Sequence, residues 1–356
     1  MNPKVIPSLL RVALLVALSG TAIEARANPF FLKAAPSAVT MPDGRTVPVW
    51  GYASCTDATF TVCGAVSVPG PSLVVADTDV SVTLSVKSEL PVPTSLVIPS
   101  QIATLSPTFV DAADVPISVG ARAAGDVTSR VRSFSTEAVP LALGGPDVAT
   151  YVFPTFAAGT YLYQSGTDPA VQVQMGLYGA ITKDAALGAA YPGRAYAAQA
   201  TVLFSEIDPA VHDAVALGAP VDLVRYRATY FLVNGTPYAP GAAEIAAGTS
   251  GQAGPTLLRL LNAGLESRVP VVLGVGTTVI AEDGRPYADP RPRTAPLLAP
   301  AQTLDVLATF PAAGRYPLFD RRLALTTGVP APGRSPFGGG AFAYLRFADP
   351  PPPVGP

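Results

Sequence analysis

The chain has 356 residues, 49% hydrophobic and 13% charged, so it has enough apolar surface to fold, and its length suits two domains with separate cores. Lys and Arg (23) nearly balance Asp and Glu (25), and no basic run occurs, which argues against a nucleic-acid partner. The single His, His212, excludes sites built on several imidazoles, and with them most zinc, copper and non-haem iron chemistry.

Residues 1–27 combine Lys4 and Arg11 with an apolar run from Val12 to Leu18, and end in Ala25-Arg26-Ala27. This is the layout of a secretory signal peptide cleaved before Asn28, which places the mature chain in the periplasm or outside the cell. The run is too short for a membrane helix, which needs about 20 apolar residues. No later stretch reaches that length without Pro, Gly or charge, so no membrane span is expected after cleavage.

Export gives meaning to Cys55 and Cys63, eight positions apart in CTDATFTVC. In an oxidising compartment a disulfide closing a short loop is the default. A metal or redox pair would need a second ligand cluster or a C-x-x-C spacing, and neither is present.

Period-two alternation is clearest at Val80–Val86, with Val, Val, Leu and Val on one face and hydroxyls on the other. Further strands are predicted at Thr201–Phe204, Arg227–Val233, Thr256–Asn262, Val269–Leu273, Thr303–Phe310 and Ala341–Phe347. Gly and Pro fill most of the gaps, so the expected class is all-β, in sandwiches or barrels. Asp208-Pro209 reads as a cap followed by a first-turn Pro, predicting a short surface helix over Pro209–Ala216. A second short helical turn is expected around Asp184–Ala190. Residues 185–199, rich in Ala and Gly, are the expected linker, and residues 349–356 a Pro-rich tail without an apolar face.

Four stretches, in this order, resemble the multicopper oxidase family, whose members are built from cupredoxin domains. PGPSLVVADTDVSVTLSVKSELPVPTSLVIPSQ, residues 69–101, is similar to the first-domain segment that leads into a Thr-Ser-x-His-x-His motif. AAGTYLYQSGTDPAVQVQMGLYGAI, Ala157–Ile181, resembles that domain's Gly-Thr-Tyr-x-Tyr-His-Ser-His ending. YFLVNGTPY, Tyr230–Tyr238, looks like the opening of the second domain, and LLRLLNAGLESRVPVVLGVGTTVIAEDGRPY through TLDVLATFP looks like its body. The resemblance implies two Greek-key cupredoxin-like β-sandwich domains, at 38–184 and 200–348.

The departures concern the copper ligands. Where the family places two His-x-His pairs for a trinuclear copper cluster, this chain has Val97 and Pro99, then Gln164 and Gly166. The family's remaining ligands belong to a third domain in its long members. Val, Pro and Gly side chains offer no donor atom, and Gln164 offers one weak oxygen, so copper is expected for the family but not for this chain.

Other candidate groups are explained more simply by structure. His212 with Asp208, Asp213 and Ser205 lacks a nucleophile elbow. Met175, after Gln172 and Gln174 on an alternating run, reads as core filler on a strand. Glu282, Asp283, Asp305 and Asp320 do not form an evident carboxylate pair, and Asp283-Gly284 and Asn234-Gly235 are turn signals, although Asn234-Gly235-Thr236 also fits a glycosylation sequon. Gly274-Val275-Gly276 and Gly338-Gly339-Gly340 lack the Lys of a phosphate loop. Tyr161 and Tyr163 resemble the tyrosine corner of Greek-key sandwiches.

The leading expectation is therefore an exported, copper-free relative of multicopper oxidases acting as a binding or scaffold module, with a protein partner or a second copy of itself covering an apolar face. Two alternatives stand beside it: an oxidoreductase with copper at an unrecognised site, and a small-ligand binder using the vacated copper cavity.

Overall fold

A computed structural model describes residues 29–103, 106–111, 113, 115–117, 128–328, 337–338 and 340–349. The expected signal segment, residues 1–27, and positions 350–356 of the expected tail lie outside the described residues.

The first half packs two sheets face to face. One has the strand order Thr46–Cys55, Phe30–Thr40, Val82–Ser88, Val148–Phe153, and the other Leu73–Val75, Tyr178–Lys183, Gly159–Gln164. Phe30–Thr40 runs antiparallel to Thr46–Cys55 and parallel to Val82–Ser88. The alternation read from the sequence sends Val82, Leu84 and Val86 fully into the core. The strand starts two positions later than expected because Val80 is still exposed, after a turn in which Asp79 N–H donates to Ala76 O. Trp50, Tyr52, Leu73, Tyr151, Tyr163 and Ile181 join these residues in one core drawn from both sheets.

The second half repeats the plan with a six-stranded sheet, Tyr230–Val233, Ala198–Ile207, Thr256–Asn262, Thr303–Thr309, Gly276–Glu282, Arg285–Pro292. It faces a four-stranded sheet, Ile245–Thr249, Phe342–Ala348, Gly314–Asp320, Pro270–Val272. Val202, Leu258, Val306, Leu318 and Leu345 lie in the core between them. The all-β class and the Greek-key sandwich architecture are thus as expected.

Two short helices sit beside the sheets. Helix α2, Pro209–Ala216, has the bounds read from the sequence, and the Asp208 carboxylate caps it by accepting Ala210 N–H at 3.0 Å. Helix α1, Pro169–Met175, corrects an expectation: the alternating Gln172-Val173-Gln174-Met175 run is helical, not a strand. Pro169 opens the first turn and Gly176, at φ 119°, closes the last, and these end signals outweigh the alternation. The helical turn expected near Asp184–Ala190 is instead a turn into a hairpin, Ala189–Tyr191 with Arg194–Ala195, inside which Tyr191 is buried.

The tyrosine-corner reading holds. The Tyr161 hydroxyl donates to Ala158 O at 3.0 Å, three residues upstream. The Tyr163 hydroxyl donates to Pro71 O at 2.7 Å. Its ring fits only because Gly70 and Gly179 flank it, where an added β-carbon would lie 2.4 and 2.3 Å from the Tyr163 side chain. Cys55 and Cys63 are disulfide-bonded. Among the described residues no helix is long and apolar enough to cross a membrane.

Candidate functional site

The four positions that the resemblance assigns to copper fall on two neighbouring segments of the first sandwich. Val97 and Gln164 face each other as a backbone pair, Val97 N–H donating to Gln164 O at 2.8 Å and Gln164 N–H to Val97 O at 2.9 Å. The Val97 isopropyl group fills the space beside Gly166, where an added β-carbon would meet Val97 Cγ1 at 2.7 Å and Ser95 Oγ at 3.0 Å. Position 166 therefore cannot carry any side chain while Val97 keeps its place. Gln164 Oε1 is buried without a hydrogen-bond partner, and it is the one side-chain donor atom of metal-ligating type that these positions offer.

Behind these residues lies a buried network of hydroxyls. Ser133 donates to Ser135 O at 2.8 Å, and Ser95 Oγ lies 2.9 Å from Ser133 Oγ. Thr167 Oγ1 lies 3.0 Å from both serine oxygens and 3.2 Å from Glu137 Oε1. Arg132 holds Glu137 in a two-point pair, Nε to Oε1 at 3.1 Å and Nη2 to Oε2 at 2.6 Å. On the other side Gln172 Oε1 accepts from Thr94 and Ser165, each at 2.7 Å, while its Nε2 donates to Pro93 O. These groups bond one another and leave no set of lone pairs converging on an empty point. A copper cluster needs several imidazole nitrogens in fixed geometry, and the residues present do not fit it. Among the described residues no group of three or more His, Cys, Asp or Glu is arranged to hold a metal ion.

His212 is not on the surface as expected; it is 1% exposed. Helix α2 turns it against the first sandwich, where its Nδ1 lies 2.7 Å from Pro48 O, so this nitrogen carries the proton and donates. Burial lowers its pKa, against the opposing pull of the Pro48 carbonyl and of Asp208 and Asp213, and keeps the ring neutral. Asp208 is occupied as the helix cap, also accepting Arg227 N–H, and Asp213 pairs with Arg45 at 2.5 Å. Ser205 Oγ is buried and makes no hydrogen bond to His212. No hydrolase triad is assembled.

The acidic residues are also committed elsewhere. Asp283 at φ 49° and Gly284 at φ 71° form the expected turn, and Glu282 accepts from Tyr287 and Gln302. Asn234 and Gly235 form a second turn, and the Asn234 side chain bonds Leu203 N and Thr201 O, so its amide nitrogen is engaged. Met175 is 1% exposed and belongs to the first core, as its filler role requires.

Sequence reasoning missed two buried ionic clusters at the junction of the halves. Arg259, 1% exposed, contacts Asp184 at 2.5 Å and Thr160 Oγ1 at 2.9 Å, beside Asp305. Arg268 binds Glu206 at 2.5 Å and Asp320 at 3.2 Å, while Tyr226 links Glu206 to Gln174 of α1. Desolvation raises the Asp305 pKa; at Arg268 it acts downward but is outweighed by Glu206 and Asp320, so that pKa rises. The signal was a lone charge inside an apolar strand, as in TLLRLLN and VLFSEI.

No protein-family profile matches the chain. A putative laccase-17 from Oryza sativa subsp. japonica is 45% identical over 84 residues, which is 23% of this chain and 14% of the laccase. Among solved structures, a blue copper oxidase from Nitrosomonas europaea superposes with a TM-score of 0.65 at 16% identity, covering 89% of this chain and 85% of that one. A copper nitrite reductase from the same organism gives 0.60 at 16% identity, covering 89% of this chain and 93% of that one. A multicopper oxidase from Pseudomonas thermotolerans gives 0.62 at 20% identity, covering 92% and 65%. The chain thus has the cupredoxin-type fold of multicopper oxidases that the sequence resemblance implied.

Proposed function

We propose that this chain, which shares the fold of multicopper oxidases, is a copper-free, exported member of that structural group acting as a binding or scaffold module, in two cupredoxin-like domains at 38–184 and 200–348. The observation that carries this reading is the packing at the four substituted positions. Val97 fills the room beside Gly166, and the surrounding hydroxyls are bonded to one another instead of converging on a metal. Fold-determining features remain, including the Tyr161 corner, the Tyr163–Pro71 bond and the alternating strands. A scaffold needs only this second set. The vacated-cavity reading loses support from the same packing, since side chains occupy the space such a ligand would need.

The test is copper content after export. The chain is expressed with its N-terminal segment in copper-supplemented medium, recovered from the exported fraction, and analysed by elemental mass spectrometry. Well under one copper per chain is expected, together with an N-terminus at Asn28 by intact mass. Stoichiometric, tightly held copper overturns the reading.

A further inference from the structure

We propose that the strand Val148–Phe153 is a docking edge for a second copy of this chain, pairing antiparallel with itself about Thr150. The proposal goes beyond the scaffold reading and does not rest on it.

The strand closes one end of its four-stranded sheet. Ser88 N–H donates to Asp147 O at 2.7 Å, which fixes the phase of the ladder: Ala149, Tyr151 and Phe153 bond inward to Val86, Leu84 and Val82. The N–H and C=O groups of Val148, Thr150 and Val152 therefore point outward, and none has a partner among the described residues. A bare row of backbone donors and acceptors is a template for another strand.

Three other sheet edges among the described residues are protected. The Tyr52–Cys55 end of Thr46–Cys55 is covered by the disulfide loop, with Tyr52 and Ser67 exchanging backbone bonds and Gly64 N–H donating to Ser54 O. Gly159–Gln164 lies against Val97 and the second sandwich. Arg285–Pro292 carries Pro286, Pro290 and Pro292, which remove N–H donors, along with Arg285, Asp289 and Arg291. VATYVF has no Pro and no charge, and the charges at its end are already matched, with Lys87 Nζ 3.6 Å from Asp147.

The sequence also suits a second copy in one register. With Thr150 opposite its twin, Val148 meets Val152 of the other copy and Val152 meets Val148, so every outward group finds a partner in a closed two-fold pair. The outer face then sets β-branched residues against one another across the seam, a favourable cross-strand pairing, with Val152 50% exposed before pairing. Exposed Leu141 and Leu143, just upstream, add apolar surface at the strand's end. Pro146 and Pro154 bound the strand on both sides and limit the seam to these residues.

Sedimentation velocity on the mature chain is expected to give twice the single-chain mass, and Val152→Lys is expected to return it to the single-chain mass with an unchanged thermal melt. Register is read by cross-linking under mild oxidation. Thr150→Cys is expected to form a covalent dimer, since paired α-carbons lie about 5.5 Å apart. Val148→Cys alone is expected to form none, because its twin is displaced by four residues, about 13 Å. A single-chain mass for the wild type at high micromolar concentration overturns the proposal. So does a dimer that survives Val152→Lys and is not trapped by Thr150→Cys.

Discussion

Thr160 Oγ1, on the first sandwich, lies 2.5 Å from Asp305 Oδ1, on the second. The same hydroxyl accepts from Arg259 Nη1 at 2.9 Å, so its one proton goes to the carboxylate. Tyr191, from the hairpin between the two sandwiches, donates to the other Asp305 oxygen at 2.5 Å. These bonds, with Thr303 Oγ1 donating to Thr160 O at 2.6 Å, tie the halves into one unit through a buried polar seam.

Arg259→Met removes the cation from that seam while keeping much of its volume. Asp305, 2% exposed, is then a buried carboxylate without a counter-charge. Breaking a buried pair from one side costs about 3–5 kcal/mol, and the loss is expected in urea unfolding as a lower midpoint. A midpoint within error of wild type would show that Asp305 is neutral in the folded chain.

Gly166→Ala tests how the four substituted positions are packed. Its new β-carbon meets Val97 Cγ1 at 2.7 Å and Ser95 Oγ at 3.0 Å, a steric insertion expected to cost about 1–3 kcal/mol. The double change Val97→Ala with Gly166→Ala is expected to recover part of that loss, because the two sites compete for one space. Strict additivity in the double-mutant cycle would mean that the two side chains do not share it.

The Cys55–Cys63 disulfide closes a loop of eight residues' separation. By loop-closure entropy its removal in Cys55→Ala with Cys63→Ala costs about 2–3 kcal/mol. The effect extends to the sheet edge that the loop covers, so backbone amide exchange at Tyr52 and Gly64 is expected to accelerate more than at Leu84, which lies on an interior strand of the same sheet. Equal acceleration at all three would limit the disulfide to a global role.

How far the sequence reveals the molecule differs from element to element. Val82, Leu84 and Val86 are legible because a half-buried strand shows its period in the residues themselves. Helix α2 is legible from its cap and its Pro. Helix α1 is not, since its burial breaks helical periodicity: Gln172, Val173, Gln174 and Met175 are all buried in succession. At the site, the lack of donor atoms in the Val97 and Gly166 side chains is readable residue by residue. The Ser95–Ser133–Thr167 network is not, because it joins residues 34 to 72 positions apart whose hydroxyls individually look like ordinary strand composition.

His212 supplies a pH dependence whose sign follows from burial. Its surroundings are the Pro48 carbonyl at Nδ1, the Gln174 carbonyl, and the Asp208 and Asp213 carboxylates, and desolvation outweighs them to lower its pKa. The folded chain thus binds fewer protons at this ring than the unfolded chain does. Its contribution to stability is fully present above the unfolded value of about 6.5 and is lost as pH falls through the lower folded value. In His212→Gln the amide can still donate toward Pro48 but does not titrate, so the stability gap between wild type and variant is expected to shift against the wild type on acidification. Each unit of pKa depression is worth about 1.4 kcal/mol in that shift. Unfolding free energies from urea titrations at neutral and mildly acid pH measure it, and parallel profiles for the two proteins would mean that His212 titrates alike in both states.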